Sequence, residues 1–563
     1  MGQEHLSLMA TILAEKEVTQ VVVSPGSRNA PAIISFNQSG RLKLWSVPDE
    51  RSAGFVALGM ALQLGETVAL LCTSGTAALN YAPALAEAYY QKVPLLVITA
   101  DRPAAWIDQG DGQTIRQQGV FSSYVRKSFH LPHEVSSAAD YWQFTRMVSE
   151  AIDRTQYPAP GPVHLNLPLQ EPLYDIQPYE FKKELRISSL IPADSQLPAK
   201  DLQKLATAWN AAGSKMIVAG QLPPGNELTP WLNQLSDDPS VVVFTETQSN
   251  LNIKGGILCI DRTIEGISGK RLQELAPTIL LTLGGAIVSK KIKALLAEMH
   301  PAQHWHINPD PDDFYLDTYQ ALTHTILCSP EGFLRQFVQL VHAANSNYRE
   351  QWQQLALHHL EKHKNFLSKA PFCDLKVFET LFRAIPKNHL LHVGNSTPIR
   401  YSQLFDVATD FATYSNRGTS GIDGSVSTAV GAAAVSPQPI TLITGDMGFL
   451  YDSNALWNTK LPPNIKIILI NNGGGNIFRF IPGPDRFAEL EPYIEASHSF
   501  RAEGIAKNFG LSYYSADDAA TLQAILPVFF GSENKNTPSL LEIVTPPKIS
   551  AQVLKDYFKF IKS

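Results

Sequence analysis

Long apolar runs are missing from this chain. No stretch approaches the roughly 18 consecutive apolar residues that a membrane-crossing helix needs, so no membrane span is expected. Basic clusters are missing as well: the formal net charge is −6 and no Lys/Arg block occurs, which leaves no footing for nucleic-acid binding. Cysteine is scarce, and Cys72, Cys259, Cys328 and Cys373 lie far apart, each in or beside an apolar segment. Such spacing excludes a disulfide frame or a cysteine zinc site and fits buried thiols in a reducing cytoplasm. The first residues, Met1-Gly2-Gln3-Glu4-His5, show no basic stretch running into an apolar one, so no secretory signal is expected. A Gly-x-Gly-x-x-Gly after a first strand, with an acid about 20 residues on, is also lacking, which argues against a nicotinamide or flavin enzyme. His359 and His363 could share one helix face, but their polar surroundings and the lack of a third ligand nearby predict a solvated face rather than a metal site.

What is present is an ordinary globular composition, 44% apolar and 17% charged. At 563 residues the chain should hold roughly three to four domains of about 150 residues each. Its most telling stretch runs from Gly445 to Phe478. Ile-Thr-Leu-Ile precedes Thr-Gly-Asp-Met-Gly-Phe (Thr444 to Phe449), and a second apolar, β-branched run precedes Asn-Asn-Gly-Gly-Gly-Asn-Ile-Phe (Asn471 to Phe478). Both runs read as buried parallel strands. Asp446 and Asn472 then stand just past two strand ends, 26 positions apart. That is room for one crossover, which brings both to one crevice of the sheet. A hard divalent cation takes oxygen ligands, commonly one or two carboxylates with substrate phosphates. Asp446 offers a carboxylate, Asn472 an amide oxygen, and the glycines around Gly474 offer unobstructed carbonyls. Gly445 and Gly448 let the backbone close on a diphosphate. The paired motif resembles the thiamin diphosphate signature.

Around this stretch the chain alternates strand and helix. Strands are predicted at Val21–Val23, Leu44–Val47, Thr67–Cys72, Leu95–Thr99 and Val163–Leu167, ending in Ser24-Pro-Gly-Ser-Arg-Asn, Asp49-Glu-Arg, Thr73-Ser-Gly-Thr and Ala100-Asp-Arg-Pro for the first four. Residues from about 172 to 201 read as a linker. A second α/β block has strands at Met216–Ala219, Val241–Phe244, Thr278–Leu283 and His304–Ile307, and a polar helix from Asn345 to Lys369 leads to the third. The expected fold is α/β, three doubly wound parallel-sheet domains at 1–180, 190–345 and 370–563, with chemistry in the loops after strands. The first and third blocks look alike in architecture.

Glu50 closes an apolar strand and opens a small-residue helix. A carboxylate there ordinarily answers the helix macrodipole. With a thiamin diphosphate motif elsewhere in the chain, it becomes the acid that this cofactor needs beside its aminopyrimidine nitrogen. The loop Asn-Arg-Gly-Thr-Ser-Gly-Ile-Asp-Gly (Asn416 to Gly424) has three glycines and approaches something closely.

The match is closer than to thiamin enzymes at large. Ser-Pro-Gly-Ser-Arg (24–28), Asp-Glu-Arg (49–51), Thr-Ser-Gly-Thr-Ala (73–77), Thr-Ala-Asp-Arg-Pro (99–103), Gln-Thr-Ile-Arg-Gln (113–117), Gly-Asn-Ser (394–396), the 416–424 loop and Asn-Ile-Phe (476–478) resemble the menaquinone-pathway 2-succinyl-5-enolpyruvyl-6-hydroxy-3-cyclohexene-1-carboxylate synthase family. The resemblance covers the first and third blocks nearly end to end and is weaker in the middle. It implies a transferase that decarboxylates 2-oxoglutarate and joins the remainder to isochorismate, with thiamin diphosphate and Mg²⁺ or Mn²⁺. It implies Glu50 as the catalytic acid and Ile422 as the wedge that keeps the cofactor bent. Gly445, Asp446, Met447, Gly448, Asn472, Gly474, Ile477 and Phe478 would line the cofactor, with Asp446, Asn472 and Gly474 on the metal. Two dianionic substrates call for fixed cations, and arginine suits bidentate carboxylate recognition. Arg28, Arg102, Arg400 and Arg417 all follow strands; the resemblance adds Ser27, Gln113, Ser396, Lys290 and Lys291. It further implies a cytoplasmic homodimer or homotetramer, because the pyrimidine- and diphosphate-binding domains of this architecture usually come from different chains.

Three departures from the family pattern stand out. Met447 occupies the third place of Gly-Asp-Gly, Gly112 stands where asparagine is frequent, and the asparagine run is shortened to Asn471-Asn472. Two other readings remain at this level. One is an acetolactate-synthase-like 2-oxoacid decarboxylase or carboligase, whose smaller acceptors would not need four arginines. The other is a non-catalytic α/β binding protein, against which Glu50, Asp446 and Asn472 speak.

Overall fold

The computed structural model describes residues 4–171, 173–174, 186–193, 196–313, 315–407, 410–458, 460–481 and 483–563. Part of the stretch read as a linker, residues 172, 175–185 and 194–195, lies outside them. The chain forms two compact units, one of Met1–Pro192, Asn416–Pro437 and Gly448–Ile465, the other of Ala193–Ser415, Gln438–Met447 and Lys466–Ser563.

The first unit is built on a six-stranded sheet in the order Lys43–Ser46, Gln20–Val23, Val68–Cys72, Leu95–Asp101, Val163–Pro168, Ser128–His130. All its pairs are parallel. The central strands are buried along their whole length, as expected of apolar runs covered on both faces. Five of the six strands follow the sequence expectation. Ser128–His130 is a sixth, too short and polar to announce itself, and Leu95–Asp101 is followed by a single 3₁₀ turn at Ala104–Trp106 instead of a helix.

After the Lys43–Ser46 strand, Asp49 caps the next helix, its Oδ1 accepting from the Arg51 and Ser52 backbone N–H groups at 2.9 and 3.2 Å. This helix, Glu50–Leu64, ends on left-handed Gly65. Its small residues receive a second helix of the same unit, Ser425–Val435. A Cβ on Gly59 would stand 1.9 Å from the Thr428 carbonyl oxygen, and one on Gly431 would stand 2.0 Å from that of Val56. Buried Asp452 holds the start of the second helix, accepting from the Ser427 N–H and hydroxyl at 2.7 Å each.

The second unit contains two sheets. A five-stranded one runs Leu322–Ile326, Gln303–Ile307, Ile279–Leu283, Lys215–Ala219, Val241–Thr245; its edge strand Leu322–Ile326 was not foreseen because it is largely exposed and polar. A six-stranded one runs Thr413–Tyr414, Leu390–Val393, Ile440–Gly445, Ile465–Asn471, Ser539–Val544, Ser512–Ala516. Numbered by chain order within each sheet, both six-stranded sheets read 2-1-3-4-6-5. In each, the chain departs in opposite directions from strands 1 and 3, and an open parallel sheet binds ligands at such a switch point, beyond the carboxyl ends of the strands.

The polar helix Tyr348–Leu367 corrects one expectation. His359 and His363 are 5% and 4% exposed, not solvated. His359 Nδ1 lies 2.9 Å from the Arg262 carbonyl, and His363 Nδ1 lies 3.0 Å from the Tyr557 hydroxyl. The helix is covered by Ile260–Thr263 and Pro547–Lys562 on the side that carries them, and burial drives His363 down to about 3. The four cysteines are buried thiols, none in a disulfide.

Candidate active site

At the switch point of the first sheet, the loop after Gln20–Val23 meets the loop after Val68–Cys72. The approach is close enough that a Cβ on Gly26 would fall 2.4 Å from the Thr73 Cβ. A cavity of about 320 Å³ opens here, lined among others by Gly26, Ser27, Glu50, Thr73, Ser74, Asn80 and Gln113. Ser27, Glu50 and Gln113, three candidates far apart in the chain, therefore share one cavity. Burial pushes the Glu50 carboxyl above its ordinary value; its own backbone N–H opposes this and Asp49 adds to it.

Arg102 stands beside the same cavity. Its Nη1 donates to Ser74 Oγ at 2.8 Å and to the Gln113 carbonyl at 2.9 Å, and its Nε pairs with Asp111. Arg28 is 8% exposed; it donates to the Leu169 carbonyl at 3.0 Å and pairs with Glu171 at 3.2 Å, while its Nε finds no partner. Buried Gln117 accepts from the Gly75 N–H at 2.7 Å and donates to the Ala100 carbonyl at 3.1 Å, tying the loop after Val68–Cys72 to the end of Leu95–Asp101.

The loop with Arg417 and Ile422 also belongs to the first unit, although its position in the chain put it with the third block. Glu87, on the helix Ala82–Gln91, is 2% exposed and accepts from the Gly418 N–H (2.6 Å), the Thr419 N–H (2.8 Å) and the Thr419 hydroxyl (2.7 Å). Gln91 accepts from the Arg417 N–H at 3.1 Å. Ile422 is half-buried.

At the switch point of the other six-stranded sheet, in the second unit, Asp446 follows Ile440–Gly445 and Asn472 follows Ile465–Asn471. Asp446 is 3% exposed. Its Oδ2 accepts from the Asn472 N–H at 3.1 Å and the Gly474 N–H at 2.9 Å, and its Oδ1 from the Met447 N–H at 2.7 Å. Met447 thus contributes its backbone, which is what a departure from glycine there requires. Gly474 has φ +144°, and a Cβ on it would press to 2.8 Å from the Glu495 carbonyl oxygen. Gly445 is half-buried at the strand end, and Gly448 is buried in the helix Asp446–Tyr451. Ile477 and Phe478 are half-buried on the 3₁₀ turn Asn476–Arg479.

This end of the sheet fits a divalent cation and a diphosphate. Among the described residues no three His, Cys, Asp or Glu side chains gather to hold a metal. A cation here would draw on Asp446, the Asn472 amide oxygen and the Gly474 carbonyl, the hard oxygen set that Mg²⁺ or Mn²⁺ prefers. Asp446 Oδ1 accepts one of these N–H groups and keeps lone-pair capacity for a ligand. Asn476, 1% exposed, has no partner for either amide atom, an unmet polar demand beside the glycine turn.

The remaining candidates also lie in the second unit. Ser396, at φ +71°, begins the helix Thr397–Ser402 that carries half-buried Arg400. A Cβ on Gly394 would stand 2.9 Å from Thr444 Oγ1, the same close passage between strand 1 and strand 3 that Gly26 makes in the first unit. Lys290 is exposed; Lys291 pairs with Glu265 and lies 3.3 Å above the Phe558 ring. Burial pushes the Asp261 carboxyl up, and Ser289, Lys291 and Arg400 pull it back, so Lys291 and Arg400 act on one buried carboxylate.

Sequence reasoning passed over Asp374, His498, Asn476, Glu87 and Gln117. His498 Nε2 lies 3.4 Å from Asp446, and the Asp446 carboxylate holds that imidazole above its ordinary value. Asn476 and Gln117 lie inside quoted motifs without being singled out, and no spacing rule links Asp374, His498 or Glu87 to the residues they touch.

Known proteins resemble this chain along nearly its whole length. Residues 5–120 match the thiamine pyrophosphate enzyme N-terminal TPP binding domain, 195–393 the middle domain, and 393–543 the C-terminal TPP binding domain. A Flavobacterium johnsoniae protein called 2-succinyl-5-enolpyruvyl-6-hydroxy-3-cyclohexene-1-carboxylate synthase is 42% identical over 97% of both chains. Proteins of the same name from Porphyromonas gingivalis (40% identical over 99% of this chain and 97% of theirs) and Christiangramia forsetii (41%, over 99% and 98%) are similar throughout.

Proposed function

Because the chain belongs to the 2-succinyl-5-enolpyruvyl-6-hydroxy-3-cyclohexene-1-carboxylate synthase family of thiamin pyrophosphate enzymes, we propose that it decarboxylates 2-oxoglutarate and adds the remaining four-carbon unit to isochorismate. The observation that carries this reading is the buried turn in which Asp446 Oδ2 gathers the Asn472 and Gly474 N–H groups. Asp446, the Asn472 amide oxygen and the Gly474 carbonyl would hold Mg²⁺ or Mn²⁺, and Gly445, Met447 and Gly448 would face the diphosphate. Ile422, Ile477 and Phe478 would flank the rings. When bound, thiamin diphosphate supplies the electron sink that decarboxylation of a 2-oxoacid requires.

The protein's own part is binding, orientation and one proton. Glu50 would keep a proton on its carboxyl oxygen for the aminopyrimidine nitrogen, a role favoured by the burial that raises its pKa. Arg28, Arg102, Arg400 and Arg417 would bind the substrate carboxylates, with Ser27, Gln113 and Ser396 donating hydrogen bonds and Lys290 and Lys291 adding positive charge. An acetolactate-synthase-like activity is not favoured, since the relatives share the other name throughout. No described helix is long and apolar enough to cross a membrane. Domains at 1–180, 190–345 and 370–563 and a cytoplasmic homodimer or homotetramer complete the reading.

The test is to incubate the purified protein, thiamin diphosphate and Mg²⁺ with 2-oxoglutarate, with and without isochorismate, and to follow CO₂ and product mass. A product of isochorismate plus a four-carbon unit supports the proposal. Turnover of pyruvate in place of 2-oxoglutarate would overturn it.

A further inference from the structure

An asparagine ligand has a weakness that a carboxylate lacks. Its amide presents an oxygen on one side and two N–H groups on the other, and a cation is bound by the first and repelled by the second. Something must decide which way the group faces. Around metal sites this falls to partners behind the ligands.

The Asn472 amide nitrogen donates to Asp374 Oδ2 at 3.0 Å, in a fully buried contact. Asp374 opens the helix Asp374–Ala384, where the helix dipole favours an anion. Its other oxygen, Oδ1, is itself held: the Thr545 hydroxyl donates at 2.5 Å and the Ser550 hydroxyl at 3.3 Å. The Asp374 N–H reaches Ser550 Oγ at 3.0 Å. The carboxylate therefore has no freedom to rotate away from Asn472. The Asn472 backbone is fixed independently, through its N–H to Asp446.

We infer that Asp374 is a positioning residue for the divalent cation: by taking the amide nitrogen of Asn472 it sets the amide oxygen toward the metal held with Asp446. This rests on the reading above that Asp446 and Asn472 are metal ligands. Burial pushes the Asp374 carboxyl up, with the hydrogen bonds from Thr545, Asn472 and Ser550 opposing and Asp446 adding to the rise.

The experiment measures Mn²⁺ affinity by the free-ion EPR signal, on the full chain with thiamin diphosphate present. Asp374→Ala and Asp374→Ser should weaken Mn²⁺ by about 10- to 100-fold, the usual cost of losing a partner behind a metal ligand. Asp374→Asn keeps an acceptor oxygen for the Asn472 amide and should restore most of the affinity. Thr545→Val removes one of the two donors on Asp374 Oδ1 without touching Asn472; Ser550 still reaches that oxygen and Oδ2 still accepts from Asn472, so Mn²⁺ should weaken clearly less than in Asp374→Ser. Wild-type affinity in Asp374→Ser, or equal losses in Asp374→Ser and Thr545→Val, would overturn the inference. Asn472→Ala and Asp446→Ala report on the underlying reading: if both bind Mn²⁺ as the wild type does, the metal assignment fails and takes this inference with it. If they lose Mn²⁺ while Asp374→Ser does not, only the inference fails.

Discussion

At the switch point of the first sheet the polar groups are hydroxyls, two side-chain amides and one half-buried carboxyl, set around a cavity. At the switch point of the other six-stranded sheet they are Asp446 and Asn472, whose directions are set by backbone N–H groups and by Asp374. The two sheets share the strand order 2-1-3-4-6-5, and in both a glycine after strand 1 lets the chain pass against a threonine of strand 3 or its loop. The same scaffold thus serves two kinds of chemistry. At Glu50, burial raises a carboxyl above its ordinary value. At Asp446, backbone N–H groups fix the direction of a carboxylate and leave lone-pair capacity over. The loops decide, and the sheet only delivers them to one place.

On that contrast, removing the carboxylate held by backbone N–H groups has the largest effect. Asp446→Ala should abolish retention of thiamin diphosphate with Mg²⁺, because no other carboxylate is assigned to neutralise the cation. Equilibrium dialysis with the cofactor checks it, and unchanged affinity would remove Asp446 from the site. Glu50→Gln should do the opposite. Cofactor binding should stay near normal while turnover falls by about two to four decades, the scale of lost acid–base catalysis; steady-state kinetics beside cofactor titration separates the two.

A smaller effect tests the substrate side. Arg400→Ala should cost about 1.5–3 kcal/mol, roughly ten- to a hundredfold in one substrate's apparent affinity. Lysine at that position should recover only part, since a point charge lacks the guanidinium fork. Separate saturation curves for 2-oxoglutarate and isochorismate, run in parallel on Arg28→Ala, Arg102→Ala and Arg417→Ala, would assign each carboxylate. Normal saturation in all four would make these arginines structural.

The smallest expected effect is on stability. The folded protein holds the Glu50 proton above the pH at which the unfolded chain releases it, near the ordinary value of 4.5. Stability of the wild type relative to Glu50→Gln should therefore fall as pH rises from about that value through the raised one, then level off. Melting temperatures of both proteins across that range test the sign. A rising difference would mean that Glu50 is stabilised as a carboxylate.

Sequence made the strand ends legible because apolar, β-branched runs stop at short polar loops, and the loops carry residues whose spacing is set by one crossover. Glu50, Asp446 and Asn472 could be placed that way. Asp374 could not: its contact with Asn472 joins residues 98 positions apart, and a helix-opening aspartate is common. Glu87 was hidden for the same reason, 331 positions from the loop it holds. The histidines at 359 and 363 were misjudged because polarity of a helix reports its average surroundings, whereas two neighbouring helices cover only the side that carries them. The strands Ser128–His130 and Leu322–Ile326 lie at sheet edges, where the pressure to be apolar is weakest.

The glycine contacts between Glu50–Leu64 and Ser425–Val435 also set a timetable. The first unit takes residues 416–437 and 448–465 into its fold, with Asp452 anchoring the later helix. A ribosome adds about 5–20 residues per second, so the Glu50 helix waits tens of seconds after its own emergence for its packing partner. During that wait its small-residue face is open. The first unit is completed only when residues 448–465 have been made, late in synthesis.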